Sequence, residues 1–211
     1  MAGLRFDISM SLDGFVAGPN QSEENPLGEG GEQLHEWVVG LEAWRKPHGH
    51  EGGEVNASTA VVEESLENLG ATMMGRNMFG GDGPWGEEPW DGWWGDEPPF
   101  HVPVFVLTHK PRPAITMAGG TTFRFLDASP GAVLERANHE AGDEDVRIGG
   151  GATVVRNFLR AGLVDQLHVA IAPILLGRGI RLWDDLRGLE SDYTVKTETA
   201  PSGTIHVTFR R

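Results

Sequence analysis

A run of three glycines, Gly149, Gly150 and Gly151, is the feature of this sequence best suited to binding a ligand. It follows a short stretch of β-forming residues at 146–148 and precedes a helical pattern that ends at Gly162. Glycines let the backbone turn sharply and leave out the side chains that would hold a ligand away. The first N–H groups of the following helix, together with its dipole, favour an anion across the turn. The run therefore predicts a phosphate or pyrophosphate site, although a turn that binds nothing has the same pattern.

The glycine run does not match either of two common nucleotide-binding motifs. No Gly-Lys-Ser or Gly-Lys-Thr follows it, and Val154 stands where the third glycine of the Rossmann fingerprint belongs. The Rossmann glycines also open a doubly wound sheet, whereas only about sixty residues follow the run here. Both motifs are therefore excluded.

Length, charge and cysteine content limit the class of protein. The chain has 211 residues, which suits one domain with a substantial core. Its formal net charge of −14 argues against nucleic acids and anionic membrane surfaces as partners. An anionic cofactor would therefore need locally placed cations. No cysteine is present, which excludes disulfides, thiolate catalysis and cysteine-based zinc sites.

The N-terminal residues 4–10 alternate between apolar and polar types, which predicts a first strand and not a signal peptide. No apolar run approaches the roughly 18 residues that a membrane-spanning helix needs. We therefore expect a cytoplasmic protein with no membrane partner.

Periodicity and turn residues predict about eight strands and four helices. Helices are predicted at residues 33–44, 58–69 and 130–141 and after the glycine run. Strands and helices alternate early, which implies parallel crossovers, and the chain ends in an antiparallel hairpin. The prediction is an α/β fold of three layers, formed by a single domain over residues 1–211. Its central sheet is mixed and mainly parallel, with helices on both faces.

Two further segments carry residue types that bind ligands. Residues 79–101 are rich in tryptophan, glycine and proline, and long loops of this kind are often lids or binding loops. The tryptophans at 85–94 suit stacking on a flat heterocycle, packing against the protein, or a subunit contact. Residues 48–51 include two histidines and a glutamate, but no further ligand aligns with them. We predict a solvated loop there and no metal site.

The order of these elements resembles the dihydrofolate reductase-like fold. It is similar, more closely, to the reductase domain at the C-terminal end of the bacterial riboflavin-biosynthesis deaminase-reductase, here as a stand-alone chain. The matching residues lie at 11–17, 74–76, 148–151, 163–167 and 173–179. The cysteines and the His-x-Glu motif of the deaminase half are absent from this sequence, so no deamination is expected.

The resemblance implies NADPH as the cofactor. It places the pyrophosphate at the glycine turn, and the adenosine 2′-phosphate near a Gly-Arg turn and the exit of the next strand. A phosphate dianion is well matched by a planar guanidinium and a lysine. Met78 departs from the family pattern, which has threonine two residues after the arginine. The implied cofactor-binding residues are Ala17, Gly75, Arg76, Asn77, Thr108, His109, Lys110, Gly149, Gly150, Gly151, Ala152 and Thr153.

Fewer residues are predicted for the substrate. Asp13 follows the first strand and is the predicted catalytic residue, contacting substrate or orienting a water, although Asp-Gly is also a common turn. Trp37 and Arg178 complete the predicted substrate-binding residues. His168 is interpreted as a hydrogen-bonded residue of a sheet. The acidic residue that dihydrofolate reductases carry on their first helix has no aligned counterpart.

The resemblance thus implies an NADPH-dependent reductase acting on a small heterocycle, carbonyl or imine. The activity most like it is that of 5-amino-6-(5-phosphoribosylamino)uracil reductase. The alternatives are a dihydrofolate or pterin reductase and a non-catalytic NADPH-binding module of the same fold. Hydride transfer depends mainly on positioning, so the lack of an acid–base pair does not argue against a reductase. The resemblance and the open edge of the terminal hairpin predict a homodimer with a small-molecule substrate and no nucleic-acid partner.

Overall fold

The structure is a computed structural model, and it describes residues 2–22, 24–80, 91, 92 and 94–211. The chain forms two compact units. Unit 1 comprises Met1–Phe6 and Asn68–Asp165, and unit 2 comprises Asp7–Glu67 and Gln166–Arg211. Most of the tryptophan-rich loop lies outside the described residues. Of its tryptophans only Trp94 is described, so the predicted role of the others stays a prediction.

Eleven strands and six α-helices are present in the described part of the chain, together with short 3-10 helices. The strands are β1 Leu4–Ser11, β2 Phe15–Ala17, β3 Leu69–Gly75, β4 Pro103–Leu107, β5 Ile115–Thr116, β6 Thr122–Leu126, β7 Asp145–Gly150, β8 Gln166–Ala172, β9 Ile180–Arg181, β10 Thr194–Thr199 and β11 Ile205–Arg210. The α-helices are α1 Glu36–Val39, α2 Glu42–Arg45, α3 Ala57–Leu66, α4 Arg76–Gly80, α5 Pro130–Ala141 and α6 Ala152–Arg160.

Nine strands form one sheet in the order β10-β11-β8-β1-β7-β3-β4-β6-β5. The β1–β7, β7–β3, β3–β4 and β4–β6 pairs are parallel, whereas β10–β11, β11–β8 and β5–β6 are antiparallel. Short strands β2 and β9 form a separate antiparallel pair. The predicted mixed, mainly parallel α/β fold and the closing hairpin are therefore confirmed.

Unit 1 is built around the buried central strands β3 and β4. Apart from the buried Thr72, their side chains are apolar on both faces, which is typical of strands that are covered on both sides. The buried cluster consists of Met74, Phe79, Val104, Val106, Phe123 and Phe125. The predicted helix over 130–141 is confirmed as α5, with Pro130 in its first turn and the Ser129 hydroxyl accepting from the Ala132 N–H.

Unit 2 contains the terminal hairpin and the N-terminal helices. Val38, Leu41 and Val62 form a buried cluster between the helical segments. In strand β11 the alternate residues Ile205, Val207 and Phe209 are only half-buried. The buried position of β11 next to them is instead occupied by His206, of which 3% is exposed.

The prediction of one continuous helix over residues 33–44 is wrong. A 3-10 helix, α1 and α2 follow one another there, and the helical conformation breaks at Leu41 (φ −79°, ψ 142°). The break is stabilised by two backbone hydrogen bonds with Glu54. The Glu54 N–H donates to the Gly40 carbonyl, and the Glu54 carbonyl accepts from the Glu42 N–H. A pairing partner distant in sequence therefore overrides the local helical periodicity.

The predicted helix over residues 58–69 ends earlier than expected. Helix α3 stops at Leu66, and Gly70 lies inside strand β3 and not at a helix end. A side chain at Gly70 would lie 2.7 Å from the Ala141 carbonyl oxygen. Glycine is needed here for a close approach of two backbones, a role that its position in the sequence does not distinguish from helix capping.

Among the described residues, no helix has both the length and the apolar character needed to cross a membrane.

Candidate functional site

Parallel strands of unit 1 end side by side, and most of the predicted cofactor residues follow these ends. The register pairs Gly75 with Leu107 and Met74 with Gly150. The last residues of β3, β4 and β7 are therefore level, at what we call the carboxyl edge of unit 1. Open α/β sheets commonly bind ligands at this edge. The predicted residues that the structure brings to it are Arg76, Asn77, Thr108, His109, Lys110, Gly151, Ala152 and Thr153.

The N-terminus of α6 has the properties of an anion site. Its N-cap, Gly151, provides no side-chain hydrogen bond to the helix end. The first helical bond runs from the Val155 N–H to the Gly151 carbonyl at 3.1 Å, so the N–H groups of residues 152–154 have no acceptor within the helix. A side chain at Gly151 would meet no atom within 4 Å. The glycine therefore leaves open space next to these donors.

The thioether of Met78 lines the glycine turn. A side chain at Gly150, where φ is +142°, would lie 3.0 Å from Met78 Sδ, and one at Gly149 would lie 3.5 Å from Met78 Cε. The Gly150–Gly151 peptide bond is cis. Gly150 is therefore favoured by its positive φ and by the close approach of Met78, whereas a side chain at Gly149 would make only ordinary contacts. A thioether is at most a weak acceptor and donates no hydrogen bond to a phosphate.

The predicted Gly-Arg turn is the start of a helix, so its description as a turn is wrong. Arg76 is the first residue of α4 and is half-buried, whereas Asn77 is exposed. A side chain at Gly75 would lie 3.0 Å from Val154 Cγ2. The glycine thus allows the end of β3 to lie close to α6, which brings Arg76 to the same edge as the glycine turn.

The exit of β4 places two basic side chains at the carboxyl edge. Thr108 is buried; its N–H donates to the Leu126 carbonyl at 2.9 Å and its Oγ1 accepts from the Lys110 N–H at 3.1 Å. These bonds fix the backbone, while the His109 and Lys110 side chains are exposed. His109 Nδ1 lies 3.1 Å from Asp127 Oδ1. Asp127 follows β6 at the same edge and was missed by the sequence analysis.

These residues fit the phosphates of a dinucleotide. The open N-terminus of α6 suits a pyrophosphate, and a guanidinium with a lysine suits a terminal phosphate dianion. The family resemblance pointed to Thr108, His109 and Lys110, which follow the exit of a parallel strand. The same signal applies to Asp127, which follows Leu126 in the chain.

Asp13 belongs to unit 2, where its carboxylate connects two loops. It accepts hydrogen bonds from Ser11 Oγ at 2.6 Å, the Leu176 N–H at 3.1 Å and the Gly177 N–H at 2.6 Å. The Ser11 hydroxyl is the main cause that lowers the pKa of Asp13, and the two backbone donors lower it further against the opposing effect of desolvation. The carboxylate is therefore held ionised and suits an acceptor, not a proton donor.

We expect Asp13→Ala to release the turn at residues 176–177. Removing the carboxylate leaves the Leu176 and Gly177 N–H groups without their acceptor, so their amide exchange should speed up at least tenfold. Exchange measured by NMR at neutral pH checks this, with the exposed Asp143→Ala as control. Because the pKa of Asp13 is lowered, exchange at these two N–H groups in the parent should speed up only as pH falls below about 3.8. Unchanged exchange in Asp13→Ala would contradict the assignment.

The other predicted residues of unit 2 are mostly engaged within the protein. Ala17 is buried in β2 and paired with Ile180. Arg178 is exposed, with its Nη2 at 3.5 Å from a Glu29 carboxylate oxygen. Trp37 is half-buried and donates its indole N–H to Ser9 Oγ at 3.1 Å. Of the residues predicted for substrate, Arg178 is the most accessible.

The remaining candidate segments show packing within the protein. Trp94 of the tryptophan-rich loop packs against the unit 1 core, with its ring 4.8 Å from that of Phe100. His48 stacks on Trp44 at 4.2 Å and its Nδ1 lies 2.6 Å from the Trp44 carbonyl. Within the described ranges, no three histidine, cysteine or acidic residues cluster as a metal site would require.

Comparison with solved structures identifies the class of fold. A dihydrofolate reductase from Enterococcus faecalis, in complex with NADP(H), aligns over 99% of this chain and 96% of its own, with a TM-score of 0.52 and 14% identity. A putative riboflavin biosynthesis protein from Shewanella sp. PV-4 aligns over 100% and 99%, with a TM-score of 0.62 and 22% identity. The fold is therefore dihydrofolate reductase-like.

The family follows from the sequence. A family model described as the RibD C-terminal domain matches residues 3–205, and the chain belongs to this family. The family that the resemblance implied is therefore confirmed.

Two further relatives match only in part. The deaminase/5-amino-6-(5-phosphoribosylamino)uracil reductase of Thermotoga maritima aligns over 99% of this chain but 56% of its own, with a TM-score of 0.58 and 14% identity. The uncharacterized Bacillus subtilis protein YyaP is 32% identical over 66 residues, which are 31% of this chain and 35% of YyaP.

Proposed function

We propose that this protein is an NADPH-dependent reductase that transfers a hydride to a small heterocycle, carbonyl or imine. The proposed activity is most like that of 5-amino-6-(5-phosphoribosylamino)uracil reductase. The observation that carries the proposal is the carboxyl edge of unit 1, where the open N-terminus of α6 lies with Arg76 and Lys110. An uncapped helix N-terminus and a guanidinium–ammonium pair are suited to the two kinds of phosphate in NADPH.

Each group at this edge has a separate role in the proposal. The N–H groups of residues 152–154 bind the pyrophosphate, and Gly151 keeps the space beside them free of side chains. Arg76 and Lys110 bind the 2′-phosphate and so favour NADPH over NADH. When bound, the nicotinamide of NADPH supplies the hydride.

Asp13 orients a substrate group or a water molecule. Because its pKa is lowered, it stays ionised at neutral pH and accepts hydrogen bonds from N–H or O–H groups. The proton that completes the reduction then comes from water. Asp13 also fixes the turn at Leu176 and Gly177, which holds the neighbouring Arg178 in place.

Titration of the full chain with NADPH and NADH by calorimetry tests the proposal. We expect saturable NADPH binding that is tighter than NADH binding, and consumption of NADPH with at least one member of a panel of aminopyrimidines, pterins, carbonyls and imines. No binding at millimolar NADPH would contradict the cofactor assignment itself.

A non-catalytic NADPH-binding module is the second candidate function. The position of Met78 supports it, because a thioether lies at the glycine turn where a hydroxyl would contact a phosphate. Such a module would gain thermal stability with NADPH but oxidise none of it across the substrate panel. A single substrate that gives steady NADPH oxidation rules this candidate out.

We further propose that the protein is a homodimer. Strand β10 ends the sheet order, all six of its residues are exposed, and 43% of Val195 is accessible. Exposed strand edges of this kind pair readily with a second chain. Light scattering at tens of micromolar should give twice the mass of 22.9 kDa. Val195→Lys should shift the protein toward monomer. The control Thr116→Lys, on strand β5 at the other end of the sheet order, should not. A monomeric parent would refute the proposal.

A further inference from the structure

Four polar side chains of unit 2 form a continuous buried chain. Ser58 Oγ lies 2.9 Å from His206 Nε2, His206 Nδ1 lies 3.0 Å from His168 Nε2, and His168 Nδ1 lies 3.3 Å from Asp7 Oδ1. Ser58, His206 and His168 are each less than 5% exposed, whereas the Asp7 side chain is 26% exposed. We call this set the Ser-His-His-Asp chain. Neither the proposed cofactor site nor the Asp13 loop uses it.

The Ser-His-His-Asp chain crosses three neighbouring strands. Asp7 lies on β1, His168 on β8 and His206 on β11, and these strands are adjacent in the sheet. His168 is paired with Thr208, and His206 is paired with Ala170. The two histidines are therefore diagonal neighbours on one face of the sheet. Ser58, the second residue of α3, connects the helix to this row.

The chemistry of the four groups fixes the position of every proton. An ionised carboxylate only accepts, so His168 donates from Nδ1 to Asp7 and its Nε2 is then an acceptor. His206 must donate to that acceptor from Nδ1, which leaves its own Nε2 to accept from the Ser58 hydroxyl. When both imidazoles are neutral, the three hydrogen bonds use three protons and both rings are Nδ1–H tautomers. The chain is complete and directed from Ser58 to Asp7.

A second proton on His206 is incompatible with this order. Its Nε2 would then donate to Ser58 Oγ, and the Ser58 hydroxyl would lose its acceptor inside the protein. The resulting cation would also face the N-terminus of α3, which carries the positive end of the helix dipole.

The charged and titratable groups around His206 are few. They are Asp7 on β1, His168 on β8 and Glu198, which is exposed on β10 and paired with His206 in the ladder. From α1, the uncharged indole of Trp37 contacts the His206 ring edge-on, with ring centroids 5.1 Å apart. Of these described groups, Asp7 and Glu198 would favour the charged imidazole.

We propose that the Ser-His-His-Asp chain is a pH-sensitive lock that holds the start of α3 on the sheet while His206 is neutral and releases it when His206 takes a second proton. The same ring contacts Trp37, whose indole N–H is bonded to Ser9 on the strand that carries Asp7. Opening of the lock therefore loosens both α3 and α1.

The direction of the pH effect follows from linkage. Burial, followed by the repulsion that any charge on His168 would add, lowers the pKa of His206 to about 4, against 6.5 for an ordinary histidine. The unfolded chain therefore binds a proton at this residue between pH 6.5 and about pH 4 while the folded chain does not. Its contribution to stability is complete above pH 6.5 and is lost as pH falls toward about 4.

NMR of the imidazole nitrogens in the full chain tests the lock, with His168→Asn and His206→Asn used for assignment. We expect neutral Nδ1–H tautomers for both histidines at pH 7, and a second protonation of His206 near pH 4. Ser58→Ala removes the side chain that links α3 to the ring in either protonation state. Backbone order at the start of α3, measured by NMR relaxation, should therefore fall near pH 4 in the parent and already be low at pH 7 in Ser58→Ala. An Nε2–H tautomer at His206 at pH 7, or a parent in which the start of α3 stays ordered through pH 4, would overturn the proposal.

Thermal unfolding gives a second readout that does not depend on activity. The melting temperature of the parent should fall between pH 6.5 and pH 4 more steeply than that of His206→Gln, since the variant lacks the titrating ring. The exposed His139→Gln on α5 should keep the slope of the parent. Equal slopes for parent and His206→Gln would overturn the proposal, and His206→Asn serves in the same comparison if His206→Gln does not fold.

Discussion

Replacement of Gly151 by leucine is expected to weaken NADPH and NADH binding alike, by at least a hundredfold, while the melting temperature stays close to that of the parent. A side chain at this position meets no protein atom within 4 Å, and its φ of −83° suits any residue. The leucine would therefore fit the folded protein but occupy the space beside the N–H groups of residues 152–154. The pyrophosphate is common to both cofactors, so both should be affected. Calorimetric titration and a thermal melt measure the two effects.

Two variants serve as comparisons for Gly151→Leu. A side chain at Gly40 would also meet no atom within 4 Å, and φ there is an ordinary −82°, so Gly40→Leu should leave cofactor binding unchanged. Gly150→Val should abolish binding and also lower the melting temperature, because φ is +142° and a side chain there would press on Met78. Parent-like NADPH binding by Gly151→Leu would show that the anion does not lie at this turn.

Local sequence signals predicted the elements around the candidate site. The glycine run, the apolar face of α6 and the Ser129-Pro130 helix start depend on residues close together in the chain, and all three are present. The terminal hairpin was predicted for the same reason. These signals identified the elements and the glycine turn, whereas the family resemblance assigned the other cofactor residues to strand exits.

Features that depend on distant pairing were not predictable in this way. The break at Leu41 is stabilised by hydrogen bonds with Glu54, and the close approach of Ala141 requires Gly70. The level ends of β3, β4 and β7 follow from sheet register, which no single segment encodes. For the same reason, no local pattern indicated that Met78 lies at the glycine turn or that Asp127 lies beside His109.

The Ser-His-His-Asp chain shows this limit most clearly. His168 was interpreted as a hydrogen-bonded sheet residue, and the structure confirms this. The other members of the Ser-His-His-Asp chain lie at positions 7, 58 and 206, on three other elements. Apolar residues alternate along β11 at positions 205, 207 and 209, whereas the buried position is that of His206. A polar residue is accepted there because neighbours distant in sequence satisfy both of its nitrogens.

Replacement of Arg76 by alanine is expected to weaken NADPH binding about ten- to a hundredfold and to leave NADH binding nearly unchanged. A charge-assisted hydrogen bond to a phosphate contributes about 1.5–3 kcal/mol, and only NADPH carries the 2′-phosphate. Lys110→Ala should have a smaller effect in the same direction, because the side chain is exposed and its charge is screened by salt. Calorimetric titration of each variant with both cofactors measures the difference.

The control for Arg76→Ala is another half-buried arginine of unit 1. Arg124 lies 2.7 Å from a carboxylate oxygen of Glu140, so Arg124→Ala should change neither cofactor's affinity. If Arg76→Ala weakens NADPH and NADH equally, Arg76 binds the pyrophosphate or supports the fold, and the 2′-phosphate assignment is wrong. If NADPH alone is weakened, and by more than in Lys110→Ala, the start of α4 determines the choice of cofactor.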